Sequence, residues 1–177
     1  MLDRRQQGAH SKVADAEPVR IFAESIATGS EKEIDEDTVA ITLKLSDGSI
    51  GTIHYLAVGD KSFPKERIEI FGGGAVAMLD DFRRLELVRD GRRRVIRTWF
   101  RQDKGHRAEW GAFARAITSG GESPICFRDL VASTLATLRI LQSLNSGTPT
   151  SCDVDEFIHS CLQSAVGADS LQMAEAH

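Results

Sequence analysis

The run Glu66-Arg67-Ile68-Glu69-Ile70-Phe71-Gly72-Gly73-Gly74-Ala75-Val76-Ala77 constrains the fold of this chain more than any other segment. An apolar, strand-like stretch enters three glycines and leaves as small apolar residues. Two structures share that pattern. Gly72, Gly74 and Ala77 match the spacing G-x-G-x-x-G/A, in which a strand turns into a helix whose N-terminus cradles a dinucleotide pyrophosphate. Alternatively, the glycines fold the chain back on itself as a hairpin. The first reading puts a cofactor site in the chain; the second leaves an antiparallel sheet without one.

The length of the connection separates the two. A dinucleotide unit needs a strand, a glycine turn, a helix, a parallel strand and an acidic residue about 20 positions on. Residues 84–88 can serve as the second strand, and Asp90 stands near the acidic position. Between Gly74 and Leu85, however, there is room for about two helical turns, and Asp80-Asp81 interrupts them. Parallel strands need a crossover of about a dozen or more residues. Ala75, Ala77 and Leu79 on one side with Val76 and Met78 on the other also suit a strand buried on both faces. The segment therefore predicts a hairpin.

The flanking pattern agrees. Val39, Ile41, Leu43 and Leu45 alternate with Thr38, Ala40, Thr42 and Lys44, the period-2 signature of a half-buried strand. Asp47-Gly48 is a hairpin signal, and residues 50–58 read as the return strand. With Asp47-Gly48 as a two-residue tip, Leu45 opposes Ile50, Leu43 opposes Thr52 and Ile41 opposes His54. That register puts His54 on the more apolar face and Tyr55 on the face of Thr42 and Ala40. Further strands are expected at 19–27, 66–71, 75–79, 84–88 and 93–100, with Asp90-Gly91 turning the last pair. After Gly105 the period changes. Trp110, Phe113, Ala114 and Ile117 share one helix face that stops near Gly120-Gly121. A second helix spans about 128–144 and is closed by Gly147 and Pro149, and a short third one is expected over 153–166. Strands first and helices afterwards predict an α+β fold: a largely antiparallel open sheet with two or three helices packed on one face. Residues 1–18 read as a flexible arm, 19–150 as the domain, and 151–177 as a short helix and tail.

Composition narrows the functional classes. A net charge of −4 offers no general attraction to nucleic acid or anionic membrane. Eight arginines between Arg83 and Arg101 form one basic cluster, but Asp80, Asp81, Glu86 and Asp90 are interleaved with it, so nucleic-acid binding is not expected. No apolar run approaches the ~20 residues of a membrane span, and residues 1–16 are too polar for a signal peptide. Three cysteines, Cys126, Cys152 and Cys161, lack C-x-x-C spacing, which argues against disulfides and zinc and for a reducing cytoplasm. His106 and Glu109 offer two ligands on one helix turn without a third, so no metal site is expected. Cys126 precedes a helix start but has no paired base and reads as structural. No nucleophile-and-base spacing, paired catalytic carboxylates or phosphate loop stands out, and no catalytic residue is assigned. The substrate-pocket candidates are His54, Lys61 and Lys65. His54 reads either as a ligand-facing imidazole or as a hydrogen-bonded core or interface histidine. Lys61 and Lys65 lie in Gly59-Asp60-Lys61-Ser62-Phe63-Pro64-Lys65, rich in groups able to grip a hydroxylated or anionic ligand, or else a plain connecting loop.

The order of these elements resembles a known family. The runs Glu36-Asp37-Thr38-Val39, Asp47-Gly48-Ser49-Ile50-Gly51-Thr52-Ile53-His54-Tyr55 and Lys65-Glu66-Arg67-Ile68-Glu69-Ile70-Phe71-Gly72 are similar to the C-terminal domain of Gfo/Idh/MocA-type oxidoreductases. So are His106, Glu109-Trp110, Phe113, Ala116-Ile117, Ser123-Pro124-Ile125 and Leu135-Ala136-Thr137-Leu138-Arg139-Ile140-Leu141-Gln142-Ser143. The resemblance spans roughly 19–149 and is strongest to the version that ends long fusions with an alcohol-dehydrogenase-like part. It implies a sheet that contributes to a sugar or polyol pocket and to dimerisation, beside a Rossmann domain that binds NAD(P). The cofactor fingerprint, the E-K-P-type lysine motif and the catalytic histidine segment of that family belong upstream of Val19. His10, followed by Ser11, Lys12 and Val13, does not reproduce the family's H-x-x-D helix. The implied protein is thus a substrate-side and oligomerisation domain of an NAD(P)-dependent oxidoreductase. It is expected to bind no cofactor alone, to be inactive without a Rossmann domain, and to pair with a second copy through its sheet face or with a Rossmann-domain partner. The alternative is a non-enzymatic interaction module that dimerises through the exposed sheet face.

Overall fold

The computed structural model describes residues 16–26, 38–98, 102 and 104–174. Strands β1 (Pro18–Ser25), β2 (Thr38–Leu45), β3 (Ile50–Leu56), β4 (Arg67–Gly72), β5 (Ala75–Asp80), β6 (Arg84–Arg89) and β7 (Arg92–Arg97) come first. They are followed by α1 (His106–Ser119), α2 (Phe127–Ser146), β8 (Thr150–Ser151) and α3 (Val154–Ala174). The class is α+β with open antiparallel sheets, as the pattern of periods predicts. The strands form two sheets of four, ordered β3-β2-β1-β8 and β4-β5-β6-β7, where the sequence suggests one. The chain divides into two units, Met1–Val58 with Ile125–His177, and Gly59–Pro124.

In the first unit, alternation along β1 and β2 sends Ile21, Ala23, Val39 and Ile41 into a core completed by Ala132 and Leu135 of α2 and by Cys152 and Val154. Ser143 locks the helix to the sheet. Its buried hydroxyl donates to the Thr148 carbonyl (2.8 Å) and accepts the Ala23 N–H (3.0 Å). The two-residue strand β8 has no periodicity to announce it. It exists because Thr150 pairs with Ile21 on β1 and its hydroxyl donates to the Arg139 carbonyl at 3.1 Å. Asp153 caps α3 through the Glu156 N–H (2.9 Å), and the helix runs on to Ala174, beyond the expected end at 166. Arg128 on α2 bridges Glu17 and Asp155 with its fork of donors. Hydrogen bonds from Arg128 hold the Asp155 carboxyl below its ordinary range, and the same contacts raise the guanidinium.

The β2–β3 hairpin differs from expectation by one residue. Leu45 N–H donates to the Ser49 carbonyl (2.9 Å) and Gly48 N–H to Leu45 (3.0 Å), so the loop is the three residues Ser46-Asp47-Gly48, with Gly48 at φ 90°. The Asp47 carboxylate stabilises this form by accepting the Ser49 N–H (2.8 Å) and hydroxyl (2.9 Å). The extra loop residue shifts the register: Ile41 pairs with Ile53, and His54 pairs with Ala40. Ile53 and Tyr55 therefore share the core-side face with Ile41 and Val39. His54 stands on the opposite face beside Thr42 and Thr52, the reverse of the sequence reading.

The second unit contains the glycine segment, and it is a hairpin. Gly72 pairs with Ala75, and Gly73 (φ 56°) and Gly74 (φ 73°) form a two-residue turn with both residues left-handed. Asp90 (φ 50°) and Gly91 (φ 68°) repeat that turn between β6 and β7. The β5–β6 connection is less ordinary, because Asp81 (φ 49°) and Phe82 (φ 52°) are both left-handed without a glycine. Ladder register sorts the sheet's faces. One carries Arg67, Glu69, Arg84, Glu86 and Arg93 among Phe71, Val76, Met78, Val88 and Val95; the other carries Ile68, Ile70, Leu79, Leu85, Leu87 and Ile96, with Arg89, Arg92 and Arg94 towards one end and without a carboxylate. Those six apolar side chains are partly exposed. Glu86 is nearly enclosed, with Arg84 Nη2 at 2.5 Å and Arg93 Nη2 at 2.8 Å, and the Arg93 hydrogen bond depresses its carboxyl pKa. Helix α1 has the expected apolar stripe and ends at Gly120 (φ 63°), yet buries none of its residues. Trp110, 70% exposed, meets Phe113 edge-on at 6.1 Å between centroids. Packing on a sheet is thus realised by α2 and the start of α3.

Candidate ligand-binding cleft

Within the second unit, the loop before β4 and the β5–β6 turn border an open cleft of about 470 Å³. The loop is set by Asp60. Its carboxylate accepts the Ser62 N–H (2.8 Å) and hydroxyl (2.7 Å), and its carbonyl accepts the Phe63 N–H (3.1 Å), closing a tight turn with Lys61 at the corner. The Ser62 hydroxyl, foremost, holds the Asp60 carboxyl below its ordinary range. Pro64 then fixes φ as the chain enters β4.

The far wall comes from the left-handed turn. Asp81 N–H donates to the Glu66 carbonyl (2.8 Å), joining wall and loop. The Asp81 carboxylate accepts Gln102 Nε2 (2.5 Å) and lies 3.4 Å from Arg83 Nε. Lys104 pairs with Glu66 and sits 5.6 Å over the Phe82 ring. A left-handed non-glycine residue costs about 1–2 kcal/mol, and these contacts around Asp81 and Phe82 hold the turn in place. Chemically the cleft offers cations, hydrogen-bonding carboxylates and the open ring of Phe63, groups suited to a polyhydroxylated molecule.

Two of the three candidates, Lys61 and Lys65, line this cleft; His54 is exposed on β3 of the other unit. Sequence reasoning missed Glu66, Asp81, Arg83, Gln102 and Lys104. The adjacent acids Asp80-Asp81 were the available signal of a turn. The arginine cluster is substantially paired: Arg83 with Asp81, Arg84 and Arg93 with Glu86, and Arg89 with Asp90. His106 Nδ1 lies 3.8 Å from Glu109, both exposed, and among the described residues no group of three or more His, Cys, Asp or Glu could hold a metal ion. Among the described residues no helix is long and apolar enough to cross a membrane.

No family model matches the sequence, and no curated protein matches it. The fold, in contrast, has many counterparts among solved structures of Gfo/Idh/MocA-type oxidoreductases. UDP-N-acetylglucosamine 3-dehydrogenase from Acidithiobacillus ferrooxidans matches with a TM-score of 0.60 at 20% identity, over 74% of this chain and 41% of its own. An oxidoreductase from Agrobacterium radiobacter, in complex with NAD+, L-tartaric acid and magnesium, matches with 0.62 at 17% identity, over 80% and 44%. Levoglucosan dehydrogenase, in complex with NADH and L-sorbose, matches with 0.62 at 18% identity, over 77% and 45%. The likeness is one of fold, and the chain spans less than half the length of each.

Proposed function

We propose that this chain is the substrate-side and oligomerising part of an NAD(P)-dependent Gfo/Idh/MocA-type sugar or polyol oxidoreductase, completed by a Rossmann-type domain that holds the cofactor. The observation that carries the reading is the match in fold, which takes in 74–80% of this chain and under half of each oxidoreductase. The glycine hairpin supports it, since the one segment with dinucleotide spacing is an antiparallel turn. In this reading Lys61 and Lys65 bind substrate hydroxyls or anionic groups in the cleft, and the chain is inactive alone. A second copy covers the apolar face of the β4–β7 sheet. The three free thiols suit a reducing cytoplasm.

The test is a titration of the purified chain with NADH and NADPH, followed by nucleotide fluorescence. No saturable binding is expected; saturable binding overturns the reading. The exposed apolar sheet face also favours a second reading, a non-enzymatic module that only dimerises. That module predicts a stable dimer in light scattering and a melting temperature indifferent to sugars and polyols, whereas a substrate-side domain is stabilised by them.

A further inference from the structure

Among the described residues, the charges lining the cleft do not cancel. Its lining carries Lys61, Lys65, Arg83 and Lys104 against Glu66 and Asp81. Both carboxylates are already engaged, Glu66 by Lys104 and Asp81 by Arg83 and Gln102. Lys61 and Lys65 have no ion-pair partner among the described residues, so two ammonium groups border the opening uncompensated. Asp60, next to Lys61 in sequence, does not line the cleft and spends its carboxylate on Ser62. Between the two lysines in sequence stands Phe63, 73% exposed, an apolar surface of the kind that stacks on a sugar ring.

We infer that the cleft selects a polyhydroxylated ligand bearing an anionic substituent, a phosphoryl or carboxylate group, which Lys61 and Lys65 bind while Phe63 packs on the carbon skeleton. This deepens the substrate-side reading and rests on it. The turn fixed by Asp60 and Pro64 presents both lysines from a short, braced loop, so little ordering is required on binding. The free lone pairs of Glu66 and Asp81 accept ligand hydroxyl protons. Neutral sugars keep those hydrogen bonds but leave the two ammonium groups unanswered. Charge-assisted hydrogen bonds are about twice as strong as neutral ones, and the preference is therefore for the anion.

The experiment titrates the full chain with glucose, glucose 6-phosphate, gluconate and inorganic phosphate, read by calorimetry at low and physiological ionic strength. Glucose 6-phosphate, gluconate or both are expected to bind about tenfold or more tighter than glucose, the preference shrinking with salt. The double variant Lys61→Met/Lys65→Met is expected to reduce them to the level of glucose, and Arg20→Gln, an exposed cation on β1 outside the cleft, to leave them unchanged. Tryptophan fluorescence verifies that each variant is folded. Equal binding of glucose and its charged counterparts, or an unaltered anion preference in the lysine variant, overturns the anion selectivity and leaves the substrate-side reading standing. Inorganic phosphate binding as tightly as glucose 6-phosphate overturns the polyhydroxy part, and no binding of any probe overturns the whole inference. Saturable NAD(P)H binding is the separate result that removes the substrate-side reading beneath it.

Discussion

Replacing Gly72, Gly73 and Gly74 one at a time separates a turn from a phosphate cradle. A Cβ built on any of the three meets no atom within 4 Å, so neither packing nor close approach inside the chain requires glycine here. Backbone conformation alone decides. Gly72 ends β4 without a left-handed φ, and Gly72→Ala is expected to be neutral or to stabilise by up to about 1 kcal/mol, since alanine has less unfolded-state freedom to lose. Gly73 at φ 56° occupies the place that Asp90, at φ 50°, fills in the second hairpin. Gly73→Asn recreates an Asn-Gly turn and is expected to stay within about 0.5 kcal/mol of the parent. Gly74 at φ 73° takes the position that favours glycine most, and Gly74→Ala is expected to lose about 1 kcal/mol through its own backbone strain. Both tryptophans, Trp99 and Trp110, lie between Gly59 and Pro124, so urea unfolding followed by tryptophan fluorescence reports on this unit. With a denaturant slope of about 1–3 kcal/mol/M, the Gly74→Ala midpoint falls by about 0.3–1 M. A pyrophosphate loop ranks the positions differently, because Gly72 is then as essential as Gly74. Equal losses at Gly72→Ala and Gly74→Ala, or a large loss at Gly73→Asn, would refute the hairpin argument.

Ser143→Ala strips the buried Ala23 N–H and the Thr148 carbonyl of their shared partner and is expected to cost about 1–3 kcal/mol in chemical denaturation. Leu135→Ala, at a position 2% exposed, is expected to lose about 2–5 kcal/mol, well above the loss from half-exposed Leu138→Ala on the same helix, as read from melts by circular dichroism. The depressed pKa of Asp155 means that its pairing with Arg128 stabilises fully above the ordinary aspartate value of 3.8 and fades as pH falls through the lower folded value. Arg128→Met should thus lower the melting temperature at pH 7, with the gap to the parent closing in strong acid. Ile70→Glu combined with Leu87→Glu, both on the exposed apolar sheet face, should turn a dimer into a monomer in sedimentation while leaving the monomer folded; a surviving dimer rules that face out.

What could be read in advance, and what could not, follows from the range of the forces involved. Alternation in β2, the Gly73-Gly74 and Asp90-Gly91 turns and the stripe on α1 are local, and the sequence displays them directly. The β2–β3 register hung on one side chain: Asp47-Gly48 serves a two- or a three-residue loop, and the Asp47 bonds to Ser49 select the longer, exchanging the faces of His54 and Tyr55. Strand β8 and the division into two sheets depend on partners distant in sequence, which no periodicity encodes. Half of the cleft was hidden for the same reason. Lys61 and Lys65 advertise themselves in a polar loop, but Asp81 and Arg83 reach it through a left-handed turn that contains neither glycine nor asparagine. An amphipathic pattern, finally, states that a face is apolar and not what covers it. Trp110 and Ile117 on α1 and the Ile68, Ile70, Leu85 and Leu87 face of the sheet remain exposed in the same unit that carries the cleft. Apolar surface on two elements of one small unit is costly in water, and sedimentation of the parent chain beside the Ile70→Glu/Leu87→Glu variant tests whether a second copy covers it.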